Sequence, residues 1–367
     1  MTRRPALVVF HGGMRGSPIE ETVAQARRAA ALDSIETALS TSAFDGAVLA
    51  TDEPIESPTS DLTVDIDSSD FHFGRRLARL IRRHDLRTVV YMGGGSVPLF
   101  CPDDFARVVT ALESGGVVTN NSFSSDLVGF HVNENALNVI EQVDRDNALA
   151  RALQNAATLP PEELPRTVAA QMDIDGPSDL AILALTAQGG RRLRLYLDSL
   201  DLDLSRYKRL LPLFTDREAQ ILVAGRIGSH AWQYLEKETA CRVRLFAEER
   251  GLEAEGRADE ARSVLGFLIE AVGVERFFEL LLELADAAFI DTRVILAHRR
   301  ADASREDRFL SDVGTWNEIR EPFLRDFTRA AAEAAIPVIL GGHSLMSGGL
   351  MALNEFAWRQ NDLRRAD

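Results

Sequence analysis

Four glycine- and carboxylate-rich turns in the first half of the chain hold the side chains best suited to phosphate or metal chemistry. The first is His11, Gly12, Gly13, Met14, Arg15 and Gly16. Its glycines let backbone N–H groups approach phosphate oxygens, and Arg15 adds a fixed charge. It is neither GxGxxG nor a P-loop, because the GK[ST] ending is missing. A tight turn that needs positive φ accounts for the same residues without a ligand. The second turn is Asp52, Glu53 and Pro54, and the third is Gly93, Gly94, Gly95, Ser96, Val97 and Pro98. The fourth holds Asp173 and Asp175, two carboxylates at i, i+2 that suit a hard cation such as Mg²⁺ bridging to substrate phosphates. Alternatively, Asp175 or Ser178 caps the helix that Pro177 helps to start. A polar run, Asn120, Asn121, Ser122, Phe123, Ser124, Ser125 and Asp126, can contact a base, a ribose or an acceptor, or it can be a solvated loop.

Three further clusters lie in the second half. Gly225, Arg226, Ile227, Gly228, Ser229 and His230 stand before an expected helix, where they can hold a phosphate. Arg242 and Arg244 share one face of an alternating run and fit a surface network with nearby glutamates. Gly341, Gly342, His343, Ser344 and Ser347 close an apolar run, either as an anion nest or as a structural turn. Asp291, His298, His343 and Ser344 are the residue types of a hydrolase-like set. Cys241 has no histidine near it in sequence and reads as a small buried apolar residue.

The elements that must position these groups follow from hydrophobic periodicity. Runs at 6–10, 46–51, 88–92 and 117–119 predict strands, and 17–39, 73–84 and 102–112 predict helices. The alternation indicates parallel βαβ units, whose ligands bind beyond the carboxyl ends of the strands, where the turns lie. A proline-rich turn at 159–165 precedes a strand-like run at 167–172 and an apolar helix at 180–187. Gly189 and Gly190 mark a boundary between an α/β domain, 1–188, and a second domain, 191–367. The second is expected to be mainly helical, with strand-like runs at 220–224, 288–296 and 337–340 and Ala- and Glu-rich segments at 254–288 and 321–335.

Composition narrows the function. The 367 residues carry a net charge of −15, which argues against a nucleic-acid partner. Of the 41 basic residues only Lys208 and Lys237 are lysines, so phosphate chemistry in the first half must use arginine, backbone N–H groups or a metal. Two cysteines 140 residues apart make neither a disulfide framework nor a CxxC site. The apolar stretch 263–290 is interrupted by charges and is expected to be core rather than a membrane span. With no secretory pattern after Met1, a cytoplasmic location is expected.

Residues 1–188 resemble the GT-A-fold nucleotidyltransferases, the group that includes molybdenum-cofactor and phospholactate guanylyltransferases. The resemblance rests on the strand and Gly/Arg loop from Phe10 to Arg15, and on the helix carrying Arg27, Arg28 and Asp33 ahead of Asp52. It rests also on YMGGGSVPLF (91–100) and, most specifically, on DIDGPSDL (173–180). It implies a Rossmann-like, doubly wound, mostly parallel sheet. It further implies Mg²⁺- or Mn²⁺-dependent transfer of a nucleotidyl group from a nucleoside triphosphate to a small phosphorylated or carboxylated acceptor, releasing pyrophosphate. Gly12, Gly13, Arg15 and Gly16 would cradle the triphosphate, aided by Gly94, Gly95, Asn120 and Asn121. Arg15, Ser96 and Asp126 would serve catalysis, and Asp173, Asp175 and Asp126 the metal. Ser96 stands where the family has a metal-binding aspartate. A nucleotide-sugar-dependent glycosyltransferase on the same fold, or a catalytically silent nucleotide-binding module, is the alternative. The second half, similar to no recognised family, would shape the acceptor site or a homo-oligomer.

Overall fold

The computed structural model describes residues 4–67, 70–122, 124–157, 162–252 and 257–366. Phe123 of the polar run, residues 158–161 around the proline-rich turn and residues 253–256 of the Ala- and Glu-rich stretch lie outside the described residues. Two compact units form. The first comprises Met1–Met14, Ala24–Asp173 and Gly189–Tyr196; the second comprises Arg15–Val23, Ile174–Gln188 and Leu197–Asp367.

The first unit is built on β1 (Ala6–His11), β2 (Gly46–Thr51), β3 (Leu62–Ile66), β4 (Thr88–Gly93), β5 (Val118–Thr119), β6 (Leu127–His131) and β7 (Glu162–Glu163). Their order is β3-β2-β1-β4-β6-β5-β7. Strands β3, β2, β1 and β4 run parallel, and β6 is antiparallel to β4. The 3-2-1-4 order is that of a doubly wound, Rossmann-like sheet, and the added antiparallel β6 fits the expected GT-A-like architecture. Val8 and Val9 belong to separate hydrophobic clusters on opposite faces of β1. Burial on both faces explains why the central strands read as unbroken apolar runs. The helices Pro18–Ser40, Phe73–Arg83 and Pro102–Leu112 lie where periodicity places them.

Strand β3 escapes the sequence reading because its LTVDI carries a buried carboxylate. Asp65 accepts from Arg76 Nη2 at 2.8 Å and Arg83 Nη1 at 2.8 Å, and pairs with His84 Nε2 at 3.0 Å. The run 167–172 is a correction. It forms a short helix, Val168–Gln171, not a strand, because Thr167 caps it by accepting the Ala170 N–H at 3.2 Å.

The second unit contains β8 (Gln220–Gly225), β9 (Arg242–Ala247), β10 (Ala287–Asp291) and β11 (Val338–Gly341). They form a wholly parallel sheet in the order β11-β10-β8-β9, surrounded by the helices that make up most of this unit. The expected strand 288–296 stops at Asp291, whose side chain caps the helix Thr292–Arg299 by accepting the Arg293 N–H at 3.1 Å. The stretch 263–290 becomes two core helices, Val264–Val272 and Val274–Leu284, followed by β10. Among the described residues no helix is long and apolar enough to cross a membrane.

Candidate functional site

The carboxyl edge of the first sheet gathers much of the predicted set. Strand β1 runs into Gly12 and Gly13, with φ of +146° and +71°. The Gly13 N–H donates to Asp52 Oδ2 at 3.3 Å, just past the end of β2. A Cβ on Gly12 would fall 2.5 Å from Asp52 Oδ1. The glycine loop therefore already receives an anion, and that anion is the protein's own carboxylate. The Gly94 N–H donates to the Phe10 carbonyl at 2.8 Å, closing β4 onto β1. Buried Gly95 and Ser96 complete this turn, and Ser96 forms an antiparallel bridge with Asp173. Val97, fully buried, has φ +43°. A β-branched residue in the left-handed region, and ahead of a proline, is strained by about 1–3 kcal/mol. Strain of this kind concentrates where function fixes a loop.

The polar run is a brace as well as a surface. Asn120, 3% exposed, accepts the Asp126 and Leu127 N–H groups at Oδ1, both at 3.1 Å. Its amide nitrogen donates to Asp126 Oδ2 at 3.2 Å and to the Ala170 carbonyl at 3.1 Å. Asn120 thus spends its amide on holding Asp126, while the Asn121 N–H meets Thr119 Oγ1 at 3.2 Å. The Asp126 carbonyl accepts the Gly93 N–H at 3.3 Å, so Asp126 and Asp173 both flank the end of β4.

Sequence reasoning missed two groups here. A Cβ at Gly93 would lie 2.9 Å from Ser96 Oγ, 3.8 Å from Asp146 Oδ2 and 3.9 Å from Arg27 Nη2. Arg27 thus brings a guanidinium to the end of β4 from the helix Pro18–Ser40. Asp146 accepts from Tyr91 Oη at 3.2 Å, and burial together with this carboxylate drives the Tyr91 phenol far above its usual range. The Arg27-Arg28 pair marks the helix in the sequence, but nothing local says which arginine turns toward β4.

Arg15, Gly16 and Asp175 belong to the second unit. Arg15 is exposed. The Asp175 N–H and Gly176 N–H donate to Asp179 Oδ2 at 2.8 and 2.9 Å, so Asp179 rather than Asp175 or Ser178 caps the helix Pro177–Thr186. Asp173 follows the short helix Val168–Gln171, which removes the strand geometry expected to aim both carboxylates to one side. Among the described residues no group of three or more His, Cys, Asp or Glu side chains is gathered for a metal ion.

The carboxyl edge of the second sheet is more densely charged. Asp291, fully buried at the end of β10, accepts from Arg226 Nε at 2.7 Å and Nη2 at 3.2 Å. Burial alone would raise its carboxyl; Arg226, with Arg293 and His343 nearby, holds it below the ordinary carboxylate range. Arg293 grips buried Asp312 through both terminal nitrogens, the Nη2 contact being 2.7 Å. There burial wins over the pairing, and Asp312 is raised. Asp179 is pushed up to about 8 by burial and the charge of Asp175. His343 is pushed down to about 4 by burial and by Arg226 and Arg250.

The hydrolase-like set does not assemble around His298. Its Nδ1 accepts the Ser263 N–H at 3.1 Å, its Nε2 faces Glu270 at 3.4 Å, and Phe267 packs edge-on against it. Cys241 is buried, and burial raises its thiol.

No family model and no curated protein matches this sequence. Among solved structures, the chain is similar to Rv0371c from Mycobacterium tuberculosis H37Rv, at 17% identity and a TM-score of 0.31, over 45% of this chain and 89% of that one. It is similar to the bifunctional IspDF from Campylobacter jejuni at 11% identity and a TM-score of 0.36, over 46% of this chain and 51% of that one. A third is CMP:2-keto-3-deoxy-manno-octonic acid synthetase complexed with CTP, at 9% identity and a TM-score of 0.33, over 44% and 89%.

Proposed function

We propose that the first unit binds a nucleoside triphosphate and transfers its nucleotidyl group to a small phosphorylated or carboxylated acceptor, with release of pyrophosphate. The observation that carries this reading is the convergence of Gly12, Gly13, Arg27, Ser96, Asp126 and Asp173 on one edge of a 3-2-1-4-6 sheet. Ligands of open α/β sheets bind at that edge. In this reading the Gly13 N–H leaves Asp52 and turns to a phosphate oxygen. Arg27 supplies fixed positive charge in a half of the chain that has no lysine. Ser96 and the strained Val97 turn hold the α-phosphate for in-line attack by an acceptor oxygen, which displaces pyrophosphate. A divalent cation, when bound, would neutralise the triphosphate. Asp126 and Asp173 would hold it, since two carboxylates plus phosphate oxygens and water satisfy Mg²⁺. A cytoplasmic setting, and a second unit that serves the acceptor or an oligomer, belong to the same proposal.

The test pairs calorimetric titration of nucleoside triphosphates, with and without Mg²⁺, with a pyrophosphate-release assay. We expect saturable, Mg²⁺-strengthened binding that Arg27→Gln weakens about tenfold. Absence of binding by all four common triphosphates removes the proposal. The second reading is a silent binding module. It draws on Asp52 sitting on the Gly13 N–H and on Ser96 replacing a carboxylate. Tight binding without pyrophosphate release, across a panel of acceptor phosphates and carboxylates, would favour it.

A further inference from the structure

The first sheet reverses its winding between β1 and β4: β2 and β3 lie on one side of β1, and β4 lies on the other. A crevice opens beyond the carboxyl ends at such a switch point. Phe10 stands there, the last residue but one of β1, paired with Gly93 at the end of β4. Its carbonyl accepts the Gly94 N–H at 2.8 Å, and the Gly12–Gly13 turn begins two residues further on.

An aromatic cluster is built around Phe10. Tyr91 and Phe73, both buried, pack edge-on against it with ring centroids 5.3 and 5.6 Å away. A fourth ring, Phe71, lies edge-on to Phe10 at 6.3 Å. Phe71 is 72% exposed, more than any other large apolar side chain among the described residues. It belongs to the connection that leaves the carboxyl end of β3 and enters the helix Phe73–Arg83. Single exposed apolar side chains are ordinary on a protein surface. This one differs in place: it extends a buried cluster outward at the switch point, beside the glycine turn.

The backbone that follows the exposed ring is fixed. His72 caps the helix Phe73–Arg83 by accepting the Arg75 N–H at Nδ1, 3.3 Å away, and its Nε2 meets Asp144 Oδ1 at 3.1 Å. The Gly74 N–H donates to the Val143 carbonyl at 2.9 Å. A ring carried on such a backbone loses little freedom when a ligand covers it. The segment that holds it also reaches the end of β4. Asp146 accepts from Tyr91 Oη at 3.2 Å, and it stands 3.8 Å from the point a Cβ on Gly93 would occupy, with Arg27 Nη2 3.9 Å from the same point. An aromatic face thus joins, through Phe10 and Tyr91, to a guanidinium and a glycine turn. That combination suits a ligand with a planar ring at one end and phosphate at the other.

We propose that Phe71 is the platform on which the nucleobase of the triphosphate stacks, and that this part of the site accepts any base. Every base has a π-face, so stacking on an aromatic ring reads area rather than hydrogen-bond pattern. The inference rests on nucleotide binding by the first unit, as proposed above, and not on the transfer step.

The experiment is calorimetric titration of the full chain with ATP, GTP, CTP and UTP, and with inorganic tripolyphosphate, which has the charge but no base. We expect Phe71→Ala to weaken every nucleoside triphosphate that the parent binds by about tenfold, and tripolyphosphate by less than about twofold. Phe71→Trp should keep the parent's affinity. Parent-like nucleotide affinity in Phe71→Ala overturns the inference. So does an equal loss of tripolyphosphate, which would place the effect in the loop rather than the base, or a loss confined to one base. Thermal melts establish that both variants fold. The two readings separate in the data. Nucleotide bound through Phe71 without pyrophosphate release removes transfer and leaves stacking; pyrophosphate release with unchanged affinity in Phe71→Ala does the reverse. No nucleotide binding by the parent removes both. An independent readout is the proton spectrum of the bound nucleotide. Base protons held over a ring move upfield, so they should shift on binding to the parent and not to Phe71→Ala; the same shift with both proteins counts against the platform.

Discussion

The two carboxyl edges of this protein solve the same geometric problem with opposite materials. The edge of the seven-stranded sheet relies on backbone: Gly12 and Gly13 expose amides, Gly94 locks β4 to β1, and Asn120 braces Asp126. Its Arg28–Glu53 ion pair is loose, at 3.8 Å with each side chain about one third exposed. The edge of the four-stranded sheet relies on buried charge, with Arg226 on Asp291 and Arg293 on Asp312. The first can rearrange around a ligand at small cost. The second is fixed before any ligand arrives, because a guanidinium–carboxylate pair out of water tolerates little displacement.

Removal of one arginine from each edge should give the largest contrast in stability. Arg226→Ala leaves fully buried Asp291 without its main partner and should destabilise the fold by about 3–5 kcal/mol. Arg28→Ala removes a loose pair about one third exposed and should change stability by less than about 1 kcal/mol. Urea denaturation of both variants measures the gap. Equal effects would mean that the two edges do not differ in kind.

Proton linkage gives a second contrast. The unfolded Asp179 releases its proton near pH 4, whereas the folded carboxyl keeps it until about 8. The folded state therefore binds more protons across this window, and stability falls as pH rises through it, by at most about 1.4 kcal/mol per pH unit. Asp179→Asn cannot ionise, so it should flatten this decline, and its stability relative to the parent should improve from pH 5 to pH 8. Urea midpoints at those two values check the sign.

Smaller effects refine the first edge. Gly12→Ala places a Cβ at positive φ and 2.5 Å from Asp52 Oδ1, and should cost more than about 1 kcal/mol in stability. Asp52→Ala removes the partly solvated hydrogen bond from the Gly13 N–H, worth about 1 kcal/mol. It should raise triphosphate affinity a few-fold by vacating the Gly13 N–H. Calorimetry that finds weaker binding instead would assign Asp52 to holding the ligand rather than standing in for it.

Most of the first unit's architecture is legible in the sequence because burial on both faces leaves apolar strand runs between helices of regular period. β3 hides because Asp65 interrupts its pattern, and the run 167–172 misleads because a threonine cap outweighs its β-like residues. The glycine turns are legible as well, since a strand-end turn is a local feature. Their use is not: the binding of Asp52 to Gly13 joins residues 39 positions apart.

Local patterning sets the alternation of strands and helices and the glycine turns, and the composition sets a positive charge carried almost entirely by arginine. Which arginine meets which carboxylate depends on how distant segments pack. Arg226 finds Asp291 across 65 residues and Arg293 finds Asp312 across 19. Packing also separates Asp173 from Asp175, assigning neighbours in one motif to different units. The physical reason is range. Periodicity and turn chemistry act over a few residues, whereas the desolvation that makes a buried ion pair binding or costly exists only once distant segments have packed together.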